Sequence, residues 1–327
     1  MEKVFITGAD GMLGSHVVRS LLERGWHIRA FLQPGRQGRT LDGLDLERVH
    51  GDLLDLECVV KAAAGCDYII HAAALTQVWP DRNPLVRRVN VEGTRHIIEV
   101  ARRQRVKRLV FIGSASSFGA SSLAEPADEN TPYEGERHRN DYISSKHEAM
   151  LLVQQAYQAG LDVVTVCPTF MFGAYDAAPG SGAMILALYR GKLPGYTRGM
   201  KNYIWAKDVA TGAVNALTEG RAGEVYLLGH ENLSFKEVFQ KIGNVINRPA
   251  PRWAIPSWMT LAYAHFDTGR ARILGKAPTL SPTMARLGDM TFCYSAQKAI
   301  TELALPQTPI EIGIQESFGW FRDNHYL

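Results

Sequence analysis

The sequence predicts an α/β fold, a doubly wound parallel sheet with a smaller C-terminal lobe packed over the sheet's ligand-binding edge. Three observations predict it. Short runs rich in Val and Ile alternate with helical patterns through the N-terminal half, the order of βαβ units with parallel strands. A glycine-bearing turn follows the first of those runs and opens the first helix. Beyond position 172 the alternation gives way to glycine- and proline-rich stretches and shorter helical pieces. Right-handed crossovers then wind the sheet, and such sheets bind ligands beyond the carboxyl ends of their strands.

The elements follow in order. "KVFIT" is the first strand, "MLGSHVVRSLLERG" the first helix, "HIRAFL" the second strand and "LERVHGD" the third. "LECVVKAAAG" is a helix, "DYIIHAA" the fourth strand, "PLVRRVNVEGTRHIIEVARRQ" a long helix and "RLVFIGS" the fifth strand. "DYISSKHEAMLLVQQAYQAG" is another long helix and "LDVVTVCP" the sixth strand. Later, "GEVYLLG" reads as a strand and "SFKEVFQKIGNVI" and "PIEIGIQESFGWF" as helices. This reading divides the chain into a dinucleotide-binding domain over 1–172, with 202–229 returning to it, and a lobe over 173–327 expected to bind substrate.

Bulk properties narrow the function. With 327 residues, 46% of them hydrophobic, a large core is available and global disorder is excluded. A formal net charge of +3 gives no general argument for nucleic acid or membrane surfaces. The basic run "RRQRVKR" at 102–108 ends a helix, where cations suit the dipole, and reads as a solvated face. The four cysteines, Cys58, Cys66, Cys167 and Cys293, are scattered without a CxxC pair, which argues against a disulfide framework or a metal site. No apolar run is long enough to cross a bilayer, and a strand begins almost at Met1. The expectation is a cytoplasmic protein with reduced thiols, a small-molecule substrate and neither nucleic-acid nor membrane partners.

"TGADGMLG" places Gly8, Gly11 and Gly14 between the first strand and the first helix. Glycine allows close backbone approach to a phosphate, and the helix N-terminus at Met12 and Leu13 offers free N–H groups and a positive dipole end. The third glycine lets helix and strand pack closely. The location, rather than the glycines alone, makes this a dinucleotide-binding turn.

Tyr142 and Lys146 of "DYISSK" are four apart, so on a helix they share a face. Hydride transfer to a ketone must be matched by proton delivery to its oxygen. Tyrosine can serve if its pKa of about 10 is lowered, and a lysine ammonium acts in that direction. "GSASSFG" lies just past the fifth strand, where a serine hydroxyl would hold the substrate oxygen as charge develops. No G-x-S-x-G elbow surrounds these serines, against a hydrolase. A carboxylate at the end of the second strand would favour NAD. Here Gln33 stands at that place, with Arg36 and Arg39 following, which favours NADP with NAD as the alternative.

The G-x-x-G-x-x-G spacing resembles the short-chain dehydrogenase/reductases, in the extended branch that holds epimerases, dehydratases and dihydroflavonol-reductase-like enzymes. "GDLLD", "HAAA", "NVEGT", "GSASSFG", "YISSK" and "CPTFMFG" continue the resemblance in order. It implies a Rossmann-type fold and an NAD(P)-dependent oxidoreductase. Asp52 is implied to hold the adenine amino group, Leu53 to pack on the ring, and Ala72 and Ala73 to lie beside the cofactor. Aligned on Gly119, Ser114 takes the catalytic serine position, with Ser116 an assistant and Ser117 a weaker candidate. Tyr142 is implied as acid/base, Lys146 as its tuner and the anchor of the nicotinamide ribose, and backbone at Pro168 and Thr169 as the carboxamide contact.

His71 reads as a satisfied strand residue, and Asn90 as a helix stabiliser. Nucleotide-sugar members carry Arg-Pro and then an asparagine, where this chain reads Cys167-Pro168-Thr169-Phe170. The Pro-Thr form is similar to the dihydroflavonol-reductase branch, and Met171, Phe172, Trp205 and Trp258 are candidate linings for an apolar ligand, although each taken alone reads first as core. The main expectation is thus a carbonyl–alcohol oxidoreductase on a small, partly apolar substrate. The alternatives are a nucleotide-sugar epimerase or dehydratase and a non-catalytic nucleotide sensor. The resemblance leaves open a monomer or a homodimer through the helices at 84–104 and 141–159.

Overall fold

The computed structural model describes residues 2–327. The N-terminal half runs β1 (Lys3–Thr7), α1 (Met12–Glu23), β2 (His27–Leu32), β3 (Glu47–His50), α2 (Leu56–Ala63), β4 (Tyr68–His71), α3 (Pro84–Arg87), α4 (Gly93–Gln104), β5 (Arg108–Ile112), α5 (Asp141–Gln158) and β6 (Val163–Pro168). A π-helical turn over Arg88–Glu92 joins α3 to α4, so the long helix read from the sequence is one rod with a widened middle turn. The strands pair in parallel in the order β3-β2-β1-β4-β5-β6. Their Val and Ile runs are buried on both faces, because helices cover both sides of a sheet wound this way. Each fully buried aliphatic contributes roughly 1.5–3 kcal/mol relative to exposure.

The chain then passes back and forth between two sheets. β7 (Phe170–Phe172), α6 (Ala183–Tyr189) and β8 (Met200–Trp205) are followed by α7 (Ala206–Asn215) and β9 (Val225–Leu228). Next come β10 (Glu231–Ser234), α8 (Phe235–Ile246), α9 (Ser257–Ile273), α10 (Pro282–Asp289), β11 (Thr291–Phe292), α11 (Gln297–Glu302) and α12 (Ile310–Asp323). β9 pairs in parallel with β6 and becomes the seventh strand of the main sheet. β8 is the centre of a second sheet, antiparallel to β10 and parallel to β7 and β11.

The expectation that 202–229 returns to the main sheet therefore divides. Asn202–Trp205 lie in β8 of the second sheet, while α7 and β9 rejoin the main core through Val209, Ala213 and Leu228. The apolar run Tyr203–Trp205 reads alike in either sheet, and the partners that bury Lys201 and Asn202 lie too far along the chain for a local pattern to show. The passage to the second sheet comes at Thr169–Phe170 rather than after Phe172. α11 also packs in the main core through Ala299 and Leu303, within the span 173–327 that the sequence assigns mainly to the lobe. The second core gathers Phe172, Tyr203, Val238, Ile242, Ile310 and Ile314. Phe172 and Tyr203 stack at 5.7 Å between ring centres; Phe172 is core, not lining.

Candidate active site

Because the first six strands are parallel, the residues that follow them meet along one edge. Gly8 follows β1, Gln33 β2, Asp52 β3, Ala72 and Ala73 β4, Ser114 β5 and Thr169 β6. Sequence positions more than 160 residues apart are brought to one carboxyl edge by topology alone.

The glycines divide the work of the first turn. Gly8 has φ +70°, a conformation that costs other residues, and a Cβ there would lie 2.6 Å from the Ala73 nitrogen. A Cβ on Gly14 would lie 2.1 Å from the Gly8 carbonyl oxygen and 2.8 Å from the Ala9 Cα. Gly11 is the N-cap of α1, without a side-chain cap and with no acidic residue in the first turn. The positive end of α1 is thus left to whatever anion enters the loop. Met12 is half-buried, and Leu13 is buried in the core, so both address the loop by backbone. The cradle fits a dinucleotide pyrophosphate.

At the second strand, Gln33 is exposed and accepts at its carbonyl from the Arg36 N–H. The Arg36 guanidinium lies 3.6 Å from the Asp10 carboxylate of the glycine loop. Arg39 instead donates to the Gln37 side chain. Ser15 donates to Thr40 Oγ1 (2.9 Å), and Thr40 donates to the Asp10 carbonyl (3.0 Å). Sequence reading missed Ser15 and Thr40, which bind the two loops together. Only their hydroxyl chemistry signals them, and hydroxyls are common in loops.

Asp52 is exposed, and its Oδ1 accepts from the Leu54 N–H at 2.9 Å, closing a turn. Leu53 is 8% exposed and seated so tightly on Gly93 that a Cβ there would meet Leu53 Cδ2 at 2.6 Å. Only a narrow edge of Leu53 is left for a ring to pack on. The Ala72 and Ala73 N–H groups donate to the Thr7 carbonyl and hydroxyl, fixing the wall beside Gly8. His71 is buried, with Nδ1 2.7 Å from Thr7 Oγ1 and Nε2 3.2 Å from Thr94 Oγ1. Burial holds its pKa down at about 3, so it is a neutral strut, as read from the sequence. Asn90 lies in the π-helical turn and bridges Leu75 to Ser145 of α5.

The start of α5 is anchored more firmly than the sequence reading recognised. Asn140 caps the helix, accepting from the Tyr142 and Ile143 N–H groups, and its amide donates to the Val78 carbonyl. Asp141 accepts from Arg82 at 2.9 Å and from the Asn83 N–H at 2.7 Å. The "ND" before Tyr142 was a legible capping signal. Tyr142 then approaches Ser114, whose hydroxyl acts to draw the phenol pKa down. The Ser114 and Ser116 oxygens are 2.8 Å apart. Ser117 is buried beneath them and its hydroxyl is unpaired.

Lys146 corrects one expectation. Its ammonium donates to the Ile112 carbonyl at 2.7 Å and sits over the Phe111 ring. Burial raises the Tyr142 pKa, and the Ser114 hydroxyl opposes that rise. The phenol is therefore not lowered by the lysine here, because the ammonium is turned to the end of β5. Burial brings Lys146 itself down to about 8, with Cys167 opposing. Between about pH 8 and 10.5 the unfolded lysine keeps a proton that the folded one has lost. Stability relative to a Lys146→Met variant should therefore rise with pH across that window, by up to about 3 kcal/mol. Urea midpoints of both proteins over a pH series check this; parallel profiles would contradict it.

Thr169 is also committed. Its N–H donates to the Leu228 carbonyl and its hydroxyl to Asn202 Oδ1, so neither donor is free for a carboxamide. Pro168 closes β6, buried, and has no N–H to offer. Met171 packs on the main core and Trp205 donates its indole N–H to Glu316, while Trp258 is 71% exposed. Among the described residues no cluster of His, Cys, Asp or Glu is arranged to hold a metal.

The sequence and the fold are shared with known proteins. The model of the NAD dependent epimerase/dehydratase family matches residues 4–229. A putative dihydroflavonol 4-reductase of Synechocystis is 31% identical, covering 99% of this chain and 95% of its own. Sterol demethylase protein B of Methylococcus capsulatus is 29% identical over 97% and 98% of the two chains. The crystal structure of a nucleoside-diphosphate-sugar epimerase from Pseudomonas aeruginosa superposes with a TM-score of 0.82, at 26% identity over 100% and 99% of the chains.

Proposed function

The chain belongs to the NAD dependent epimerase/dehydratase family, extended short-chain dehydrogenase/reductase enzymes that work with NAD(P), and from that premise we propose the roles of its residues. It interconverts a carbonyl and an alcohol on a small, partly apolar substrate. The observation that carries this is the approach of the Tyr142 phenol to the Ser114 hydroxyl at the carboxyl end of β5, on the edge that holds the glycine cradle. The nicotinamide, when bound, supplies or accepts the hydride. Tyr142 gives the proton to the carbonyl oxygen or takes it from the hydroxyl. Ser114 donates to the same oxygen and stabilises its developing charge. Lys146 holds the nicotinamide ribose, and its charge favours the phenolate when the ammonium leaves the Ile112 carbonyl.

We assign NADP as the preferred cofactor. Gln33 brings no carboxylate to the ribose 2′-hydroxyl, and Arg36 stands between the two cofactor loops, 3.6 Å from Asp10. The apolar character of the substrate is supported by the absence of the Arg-Pro-x-Asn pattern at Cys167–Phe170 and by the names of the two relatives above. The epimerase alternative is favoured by the Pseudomonas aeruginosa structure. One experiment separates them: NADPH and NADH consumption with a panel of bulky apolar ketones, on wild type and Arg36→Glu. Net consumption, with NADPH preferred and that preference lost about tenfold or more in the variant, is the expected result. Tightly retained NAD⁺ without net turnover would overturn the oxidoreductase reading.

A further inference from the structure

Helix α9 is built inside out. Its buried face carries small and polar residues, Thr260, Ala264, Asp267, Thr268 and Ala271. Its solvent face carries large apolar ones: Trp258 is 71%, Phe266 70% and Ile273 86% exposed. With Ala262 and Gly269, also exposed, the positions 258, 262, 266, 269 and 273 form one continuous stripe at helical spacing. The buried face is held by polar contacts. Asp267 accepts from the Thr279 and Leu280 N–H groups and from Arg270. Folding therefore does not require the outward aromatics.

Charge is segregated to the same region. Residues 251–290 contain Arg252, Arg270, Arg272, Lys276 and Arg286 against Asp267 and Asp289, five minus two, so the chain's whole formal charge of +3 falls here. The one carboxylate within α9, Asp267, is 1% exposed, so the outer face of the helix itself carries no carboxylate. No described helix is long and apolar enough to cross a membrane.

We propose that α9 lies on the surface of a bilayer containing anionic lipid, with Phe266 and Ile273 below the headgroups and the cations among them. A second copy fits less well, because facing two such stripes would bring like charges together. The position of α9 gives the contact a use. Trp258 lines a cavity of about 530 Å³ with Arg137 and His138, directly before α5. Arg272 at the far end lies over Trp79, in the loop that anchors Asp141. Through these two contacts α9 touches both the segment before α5 and the loop that anchors its start, so an apolar substrate drawn from the lipid would arrive beside the catalytic helix. The binding claim itself does not depend on the hydride-transfer reading.

Flotation of the full chain with vesicles tests it. The protein should float with phosphatidylcholine vesicles containing phosphatidylglycerol, and far less with phosphatidylcholine alone or at high salt. Phe266→Ser with Ile273→Ser should lower partitioning about a hundredfold, roughly tenfold for each side chain. Arg272→Gln and Lys276→Gln should each lower it about fivefold. Should the double variant fail to fold by circular dichroism, quenching of wild-type tryptophan emission by acyl-brominated lipid replaces it. Absence of flotation or of quenching overturns the proposal. So does a wild-type dimer that the double variant converts to monomer without any vesicle binding, which would make this face a contact between copies.

Discussion

Tyr142→Phe should lower kcat by about 10²–10⁴-fold while leaving NADPH affinity within a factor of a few. The phenyl ring fills the same space, so packing at the start of α5 is kept. What is lost is the only O–H of residue 142, whose acidity the Ser114 hydroxyl tunes. The cofactor cradle lies elsewhere, at Gly8, Gly11 and Gly14, so binding and chemistry separate. Stopped-flow turnover with fluorescence titration of NADPH measures both. A loss of kcat below tenfold would remove Tyr142 from the proton path. The phenol is held above its ordinary pKa by burial, so it enters the reaction protonated. Carbonyl reduction should accordingly hold its rate across neutral pH and fall only in alkali, as the proton is lost.

Gly14→Ala should nearly abolish dinucleotide binding and destabilise the fold. The added carbon would stand 2.1 Å from the Gly8 carbonyl oxygen and 2.8 Å from the Ala9 Cα. Both are backbone, so no rotamer change relieves the clash, and α1 must shift away from the turn that β1 feeds. Overpacking of this kind costs about 1–3 kcal/mol or more, and the shift displaces the N–H groups that receive the pyrophosphate. Gly11→Ala is the control: its Cβ would meet only the Gly8 carbonyl oxygen, at 3.4 Å, and stability should stay near wild type. Denaturant unfolding and NADPH titration of the pair give the answer. Wild-type behaviour of Gly14→Ala would mean that the loop is not the cradle described.

Much of this was legible because local rules and topology agree. Val- and Ile-rich runs marked the parallel strands, and residues following each strand were bound to share an edge. Gly8 and Gly14 were legible because glycine is forced there by backbone geometry. Other features depended on contacts that no spacing encodes. Lys146 shares a helical face with Tyr142, yet its long side chain reaches past it to Ile112. Thr169 follows β6 as expected, but pairing with β9 and Asn202, 33 residues on, consumes both its donors. Helix α9 is missing from the sequence reading, which singles out only its Trp258. Periodicity cannot tell which way an apolar stripe faces, and Trp258 reads as lining or core until burial is seen. The net charge of +3 hid the same region, since an average cannot show that the remaining 287 residues sum to zero.

The repeated passage of the chain between the two sheets has a mechanical consequence. The crossings come between β6 and β7, β8 and α7, β9 and β10, β11 and α11, and α11 and α12. Two bodies tied by one or two strands swing on a hinge, since few dihedrals must change together. Bodies laced through five points resist that swing, because every lace would have to flex in concert, and the Thr169–Asn202 bond adds a cross-tie. The run that carries α9 and α10 leaves the second sheet after β10 and rejoins it at β11, so it lies outside the lacing. A swing of one sheet against the other is what the lacing resists, and the two sheets act as one stiff frame.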